Sequence, residues 1–458
     1  MMKKLQIFLV FLVAFATVAQ AQTYPTTFWS DVADVSWYDA NQDEFTLSTA
    51  EELAGVAQLV ADGTTFEGKT INIGADINLD ANLWTPIGDY PELFSGDVEG
   101  NDHTISNLWV NTPDDDYGGL FGYVVSTSFS NIKIDTAHII GFDSNGTLVA
   151  NLFDNGSVEN CSAINISITG NNNTGGLVGG LVQNSSISNS HAIGDVVGAV
   201  QVGGLLGSGY TGVTINDSYS EGTVTGDFLA GGLVGAYPFA FSGPSTIDNT
   251  YSRSLVLANM ERAGGLVGGA DNQLLVKNSY STGTVSAPDF EGATIGFWGS
   301  IEMENIYFDI ESSEMTEAVG GFGGAPVTPD ITGKTTAEMK TIETVNLLNA
   351  GSTAAPWSID PSTNDGYPVL NFVLGVQDNN LDAASVKVYP TVFESEFTVS
   401  STLVLNSYKI YSLSGALISS GKLDGKSTTV AAANLSTGVY ILMIRSAEGM
   451  ISKRIIKK

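Results

Sequence analysis

The chain has 458 residues, with 18 basic against 49 acidic side chains, 52 glycines and one cysteine. A net charge of −31 disfavours nucleic acid and anionic membrane surfaces as partners. The lone Cys161 excludes an intramolecular disulfide and a cysteine zinc cluster.

Lys3 and Lys4 precede an apolar run from Ile7 to Val18, followed by Ala19-Gln20-Ala21. This is the pattern of a Sec-type signal peptide over 1–21, cleaved between Ala21 and Gln22. The run is too short to span a bilayer comfortably, and no other stretch is long and apolar enough to do so as a helix. An N-terminal cap region is expected over 22–68. Within it Ser48-Thr49-Ala50-Glu51 reads as a capping box, and Leu53, Val56, Ala57 and Val60 share a helical face. The pattern predicts a helix over 49–61 that covers the first coil of a repeat region.

In that region a glycine-rich pentapeptide recurs. It reads GGLFG from Gly118, GGLVG from Gly175, GGLLG from Gly203, and GGLVG again from Gly231 and Gly264. Worn copies start at Gly146 and Gly292, so successive spacings are 28, 29, 28, 28, 33 and 28 residues. An Asn/Asp column keeps step: Asn131, Asn160, Asn189, Asp217, Asn249, Asn278 and Asn305. Two positions on lies an aromatic column of His191, Tyr219, Tyr251, Tyr280 and Tyr307. Three short strands and three turns fill a unit of roughly 28 residues, which is one coil of a parallel β-solenoid. Coils stacking at about 4.8 Å make seven units a rod about 34 Å long. The L-x-x-L-x-L-x-x-N pattern of a leucine-rich repeat is absent. The paired glycines are expected to supply positive φ and close approach at a corner. Asn suits a left-handed corner and can form an amide ladder. The rod is expected over 69–310.

A C-terminal cap region is expected over 311–375. Thr335-Thr336-Ala337-Glu338 is a second capping box, and Met339, Ile342 and Val345 come next at helical spacing. These predict a closing helix over 336–348, with Trp357 and Tyr367-Pro368-Val369-Leu370 packed nearby.

Composition changes near residue 376. Residues 22–375 carry 7 basic and 43 acidic side chains; residues 376–458 carry 9 basic and 6 acidic. A polar linker over 376–385 leads to alternating apolar and polar residues over 386–458, which predict a small β-sandwich. The expected fold is therefore all-β: a right-handed parallel β-helix with helical caps, then a small Ig-like β-sandwich.

Little in the sequence carries chemistry. Cys161 reads as a buried thiol, His191 as packing, His103 as a turn residue, and His138 lies in an apolar strand. No HExxH, Gly-x-Ser-x-Gly or phosphate loop is present. Asp114, Asp115 and Asp116 form the densest carboxylate run and are a weak calcium candidate; a solvated loop is the plainer reading. Asp39 to Glu44 begins like a calcium loop but lacks its Gly and its later bidentate Glu. A lyase needs a cation near its acids, and Arg253 and Arg262 lie in the enlarged 33-residue unit. No cofactor is expected.

The pentapeptides, with the NSYS-type partners at Asn278 to Ser281 and elsewhere, resemble the GLUG-motif family over roughly 45–375. That resemblance implies a surface-exposed β-helix in an adhesin-like protein, with no catalytic residues to carry over. "VKVYPTVFESEFTV", "YKIYSLSGALI", "NLSTGVYILMI" and the basic "KRIIKK" resemble the type IX secretion C-terminal sorting domain. Its motif residues here are Tyr389, Pro390, Gly415, Gly438, Val439, Tyr440, Lys457 and Lys458. The family's usual Tyr-Pro-Asn-Pro is here Tyr389-Pro390-Thr391-Val392, so one turn signal is lost. This resemblance implies type IX secretion machinery as a partner and passage through the outer membrane to the surface of a Gram-negative bacterium. The function expected is non-enzymatic binding of a glycan or protein ligand. The alternative is a polysaccharide lyase or hydrolase of the β-helix class.

Overall fold

The computed structural model describes residues 25–237, 244–270, 273–299, 301–323, 330–352, 354–371, 386–412, 417–433, 435–446 and 449–458. The signal-peptide site at Ala21 and Gln22, the 376–385 linker and Gly415 lie outside the described residues.

Between Glu44 and Lys334 the chain winds as a parallel β-solenoid of about nine turns. One turn shows how the sequence does it. Asn172–Gly175 ends on the first pentapeptide glycine, and Val178–Leu181 starts at the pentapeptide's fourth residue. Ser186–Ser188 and His191–Val197 come next, bent apart at Asn189. Equivalent strands stack into parallel sheets of six, eight and eighteen strands. Val178 pairs with Leu206, Leu206 with Val234, Val234 with Val267, and Val267 with Ile295. At the corners Leu177 N donates to Leu205 O (3.0 Å) and Leu205 N to Leu233 O (2.9 Å). Most turns thus drop the pentapeptide leucine and several β-branched residues into one continuous core, with Thr294 in that place in the Gly292 copy.

The expectation of positive φ at the paired glycines is corrected. None of these glycines is left-handed; what they supply is closeness. A Cβ on Gly175 would lie 2.5 Å from Gly207 N, and one on Gly203 2.6 Å from Gly235 N. The first glycine of one pentapeptide therefore sits against the last glycine of the next. The left-handed corners belong instead to the Asn/Asp column, where φ runs from 45° at Asn278 to 61° at Asn305. Its amide ladder forms in pieces. Asn160 Nδ2 donates to Asn131 Oδ1 (2.5 Å), and Asn305 Nδ2 to Asn278 Oδ1 (2.8 Å). Asp217 puts a carboxylate in the column, bonded to Asn249 but with one oxygen buried and unpartnered.

Helix α1 (Ala50–Ala61) is present, but its capping box lies one residue later than expected. Thr49 accepts from Glu52 N, and Glu52 accepts from Ser48 N and Thr49 N. Leu53, Val56, Ala57 and Val60 join the rod core. The helix expected over 336–348 is two short helices, α2 (Thr336–Met339) and α3 (Ile342–Leu348), because Thr341 starts a second N-terminus. Their buried residues do not enter the rod core. Met339, Val345 and Leu348 pack on Tyr251, Tyr280 and Tyr307 in a separate cluster with Trp357, Tyr367 and Leu370. The outward tyrosines offer that segment its apolar surface, so it straps the rod's flank.

The tail builds its own core from Phe393, Phe397, Val399, Ile410, Leu442 and Ile455. Its described strands form one six-stranded sheet with register shifts in Glu396–Ser412. A second sheet, as a sandwich needs, is not among the described residues.

Candidate functional site

The aromatic column is a real stack. His191 and Tyr219 rings are 4.6 Å apart at 2°, Tyr219 and Tyr251 4.6 Å at 5°, and Tyr251 and Tyr280 5.1 Å at 2°. Strand register imposes this, since His191 pairs with Tyr219, Tyr219 with Tyr251, and Tyr251 with Tyr280. Ring faces therefore meet each other along the rod, and edges and hydroxyls point away from the sheet. The strap covers part of the column. Trp357 lies 6.1 Å from Tyr251 and 5.5 Å from Tyr280, and Tyr280 Oη donates to Pro368 O (2.6 Å).

Where the strap stops short of Tyr219, a cleft of about 570 Å³ opens. The rod wall gives it Tyr219, Glu221, Tyr251 and Arg253; the strap gives it Thr363, Asn364, Asp365, Val369 and Leu370. Asn364, Asp365 and Gly366 are all left-handed, which Asn, Asp and Gly tolerate best. That turn aims two side chains at Arg253. Nη1 donates to Asn364 Oδ1 (2.5 Å) and Nη2 to Asp365 Oδ2. The guanidinium also lies 5.3 Å from the Tyr367 ring centre.

The two carboxylates of this cleft differ. Burial raises the Glu221 carboxyl above its ordinary range, against the pull of Arg253 and the Tyr251 hydroxyl. The Arg253 hydrogen bond and charge lower that of Asp365. Burial also raises the Tyr219 and Tyr251 hydroxyls, so both stay protonated and able to donate.

Other expected residues lie elsewhere. Asp114, Asp115 and Asp116 form an exposed turn. Asp115 N donates to Thr112 O (3.0 Å), and Asp116 Oδ1 accepts from Asp143 N (3.3 Å). Asp39 accepts from Asn41 N in a local turn. Among the described residues no three His, Cys, Asp or Glu side chains gather as a metal site. Burial pushes the Cys161 thiol up to about 12 and the His191 imidazole down to about 4. His138 stacks on Trp109 at 4.3 Å, and His103 Nδ1 lies 3.2 Å from Asp76 Oδ1. Arg262 lies 4.1 Å from the Phe297 ring centre, away from Arg253's cleft. In the tail, Tyr389 is exposed, Gly438 and Val439 pair with Lys457 and Ile456, and Tyr440 Oη donates to Ser436 O (2.8 Å). Pro390 comes directly after Tyr389, and Lys458 N donates to Phe393 O (2.9 Å). Sequence reasoning missed Glu221, Asn364 and Asp365; the Asn-Asp-Gly turn was the only signal for the last two.

Residues 387–458 match the family described as the secretion system C-terminal sorting domain, and residues 170–197 match the GLUG motif. "Putative Gly-rich membrane protein" of Evansella cellulosilytica is 29% identical over 129 residues, 26% of this chain and 14% of that protein. The match thus spans a small part of that relative's length. No solved structure matches. The chain carries a GLUG motif within a β-solenoid and a type IX sorting domain behind it. It is sorted by secretion to the surface of a Bacteroidetes-type bacterium. No helix among the described residues is long and apolar enough to cross a membrane.

Proposed function

We propose that this is an adhesin-like surface protein whose solenoid binds an extracellular glycan or protein without chemical turnover. Residues 1–21 serve as the signal peptide. The rod runs over 44–334 with α1 packed into its first turn and the following segment strapped on its flank, and 376–385 links it to the sorting domain at 386–458. The observation that carries the reading is the cleft at Tyr219, Glu221 and Arg253, a polar and aromatic concavity on a rod attached to a surface-sorting tail.

A second reading, a polysaccharide hydrolase or lyase, draws on Glu221 and Asp365, whose surroundings push their carboxyls in opposite directions. Incubating the full exported chain with a panel of soluble glycans, with and without calcium, separates the two. Retention on immobilised glycan with no new reducing or unsaturated ends is the expected result. Chain cleavage abolished by Glu221→Gln would overturn the binding reading.

A further inference from the structure

We infer that the cleft between the tyrosine column and the strap is a subsite for a neutral, hydroxyl-rich saccharide, completed by the strap residues Asn364 and Asp365. This subsite rests on the proposed binding function and names the ligand class for its site.

Charge narrows the ligand first. The cleft holds one cation, Arg253, and two carboxylates, Glu221 and Asp365. Both Nη atoms of Arg253 are engaged by Asn364 and Asp365 and its Nε is buried without a partner, so the lining carries two carboxylates against one partly committed cation. A uronate or sulfated sugar would meet Glu221 and Asp365 as like charges. A neutral sugar meets no such barrier. Its hydroxyls both donate and accept, which suits a carboxylate acceptor beside hydroxyl donors. Glu221 can accept beyond its bond from the Tyr251 hydroxyl, the protonated Tyr219 hydroxyl shares a bond with Tyr251 at the cleft's edge, and Arg253 Nε–H is a buried donor without a protein partner.

Ring geometry narrows the pose. The faces of Tyr219 and Tyr251 are turned to each other at 4.6 Å, so a sugar does not stack between them. It lies instead along their edges, with the aliphatic side chains of Val369 and Leu370 as the apolar counterpart. The rod alone supplies four of the nine lining residues. The other five come from residues more than 100 positions later, held by the Arg253 bonds across the cleft.

The test uses the full exported protein and its Glu221→Gln and Tyr219→Phe variants in affinity electrophoresis. The probes are xyloglucan, xylan and mannan as neutral chains, and polygalacturonate and alginate as anionic ones. Thermal unfolding of each variant checks that the fold is kept; Tyr219→Phe removes one oxygen and retains the ring stack. The expected result is retardation by at least one neutral chain, weakened roughly tenfold in Glu221→Gln and severalfold in Tyr219→Phe. Polyuronates leave the protein unretarded. Neutral binding that neither folded variant changes would overturn this subsite while leaving the binding reading intact. Preference for polyuronates would overturn the ligand class. No retardation by any glycan would overturn the subsite and the glycan half of the binding reading together.

Discussion

Gly203 has no room for a methyl group, because its Cβ would lie 2.0 Å from Leu206 O and 2.6 Å from Gly235 N. Both neighbours are backbone, so neither can swing aside. Gly203→Ala should destabilise the rod by about 2–3 kcal/mol or more, read as a lower denaturation midpoint. Asp217 makes the opposite case. It is the one acid in an asparagine column, and burial, with Asp248 adding to it, raises its carboxyl. A raised carboxyl contributes stability below its unfolded pKa and loses it as pH rises through the folded value. Asp217→Asn should therefore stabilise the protein near neutral pH by about 1 kcal/mol, moderated by residual solvent contact, with the gain vanishing in acid. A Tm series from pH 4 to 8 shows this as converging curves. Both residues were visible in the sequence as members of columns. Which column took the left-handed corner was not, because glycine and asparagine both accept positive φ and only packing decides between them.

The strap is held by few large contacts. Trp357 is buried against two tyrosines, and Asp309 anchors Tyr367, whose Oη donates to Asp309 Oδ2 (2.6 Å). Trp357→Ala should cost about 3–5 kcal/mol of strap stability, seen as new protease cleavage between residues 336 and 370 while the rod core stays resistant. For Asp309, burial raises the carboxyl but the bonds from Tyr367, Ser312 and Glu311 outweigh it, and the net direction is down. A lowered carboxyl contributes stability above its unfolded value and loses it as pH falls through the folded one. Strap protection from protease should accordingly weaken in acid, by a route separate from the gain at Asp217. At this scale the sequence marked the second capping box and the tryptophan and placed the first box one residue early, yet not where the helices would lie. Capping boxes report a helix start; they carry no information on which surface the helix will cover. The outward tyrosines decided that, and their exposure depends on the register of four turns at once.

The molecule joins an acidic rod to a basic tail, and the tail directs the rod to the surface. Removing residues 387–458 should leave the protein inside the outer membrane, shown by cell fractionation and by loss of surface labelling. The repeat made the solenoid legible before any coordinate, since a period of roughly 28 residues admits few folds. The cleft was not legible, because it forms between a turn and a segment more than 100 residues away. All of it depends on successive turns lying in register. Asp195 and Thr223 are directly paired across neighbouring turns, at a strand spacing of about 4.8 Å that a disulfide can bridge. The buried Cys161 thiol, pushed up to about 12, stays out of such chemistry. The most direct measurement is mild oxidation of the Asp195→Cys/Thr223→Cys protein, with Asp195→Cys/Thr225→Cys as the offset partner. The stacked solenoid predicts rapid closure of the first pair and little of the second; equal closure, or closure of the offset pair alone, would contradict it.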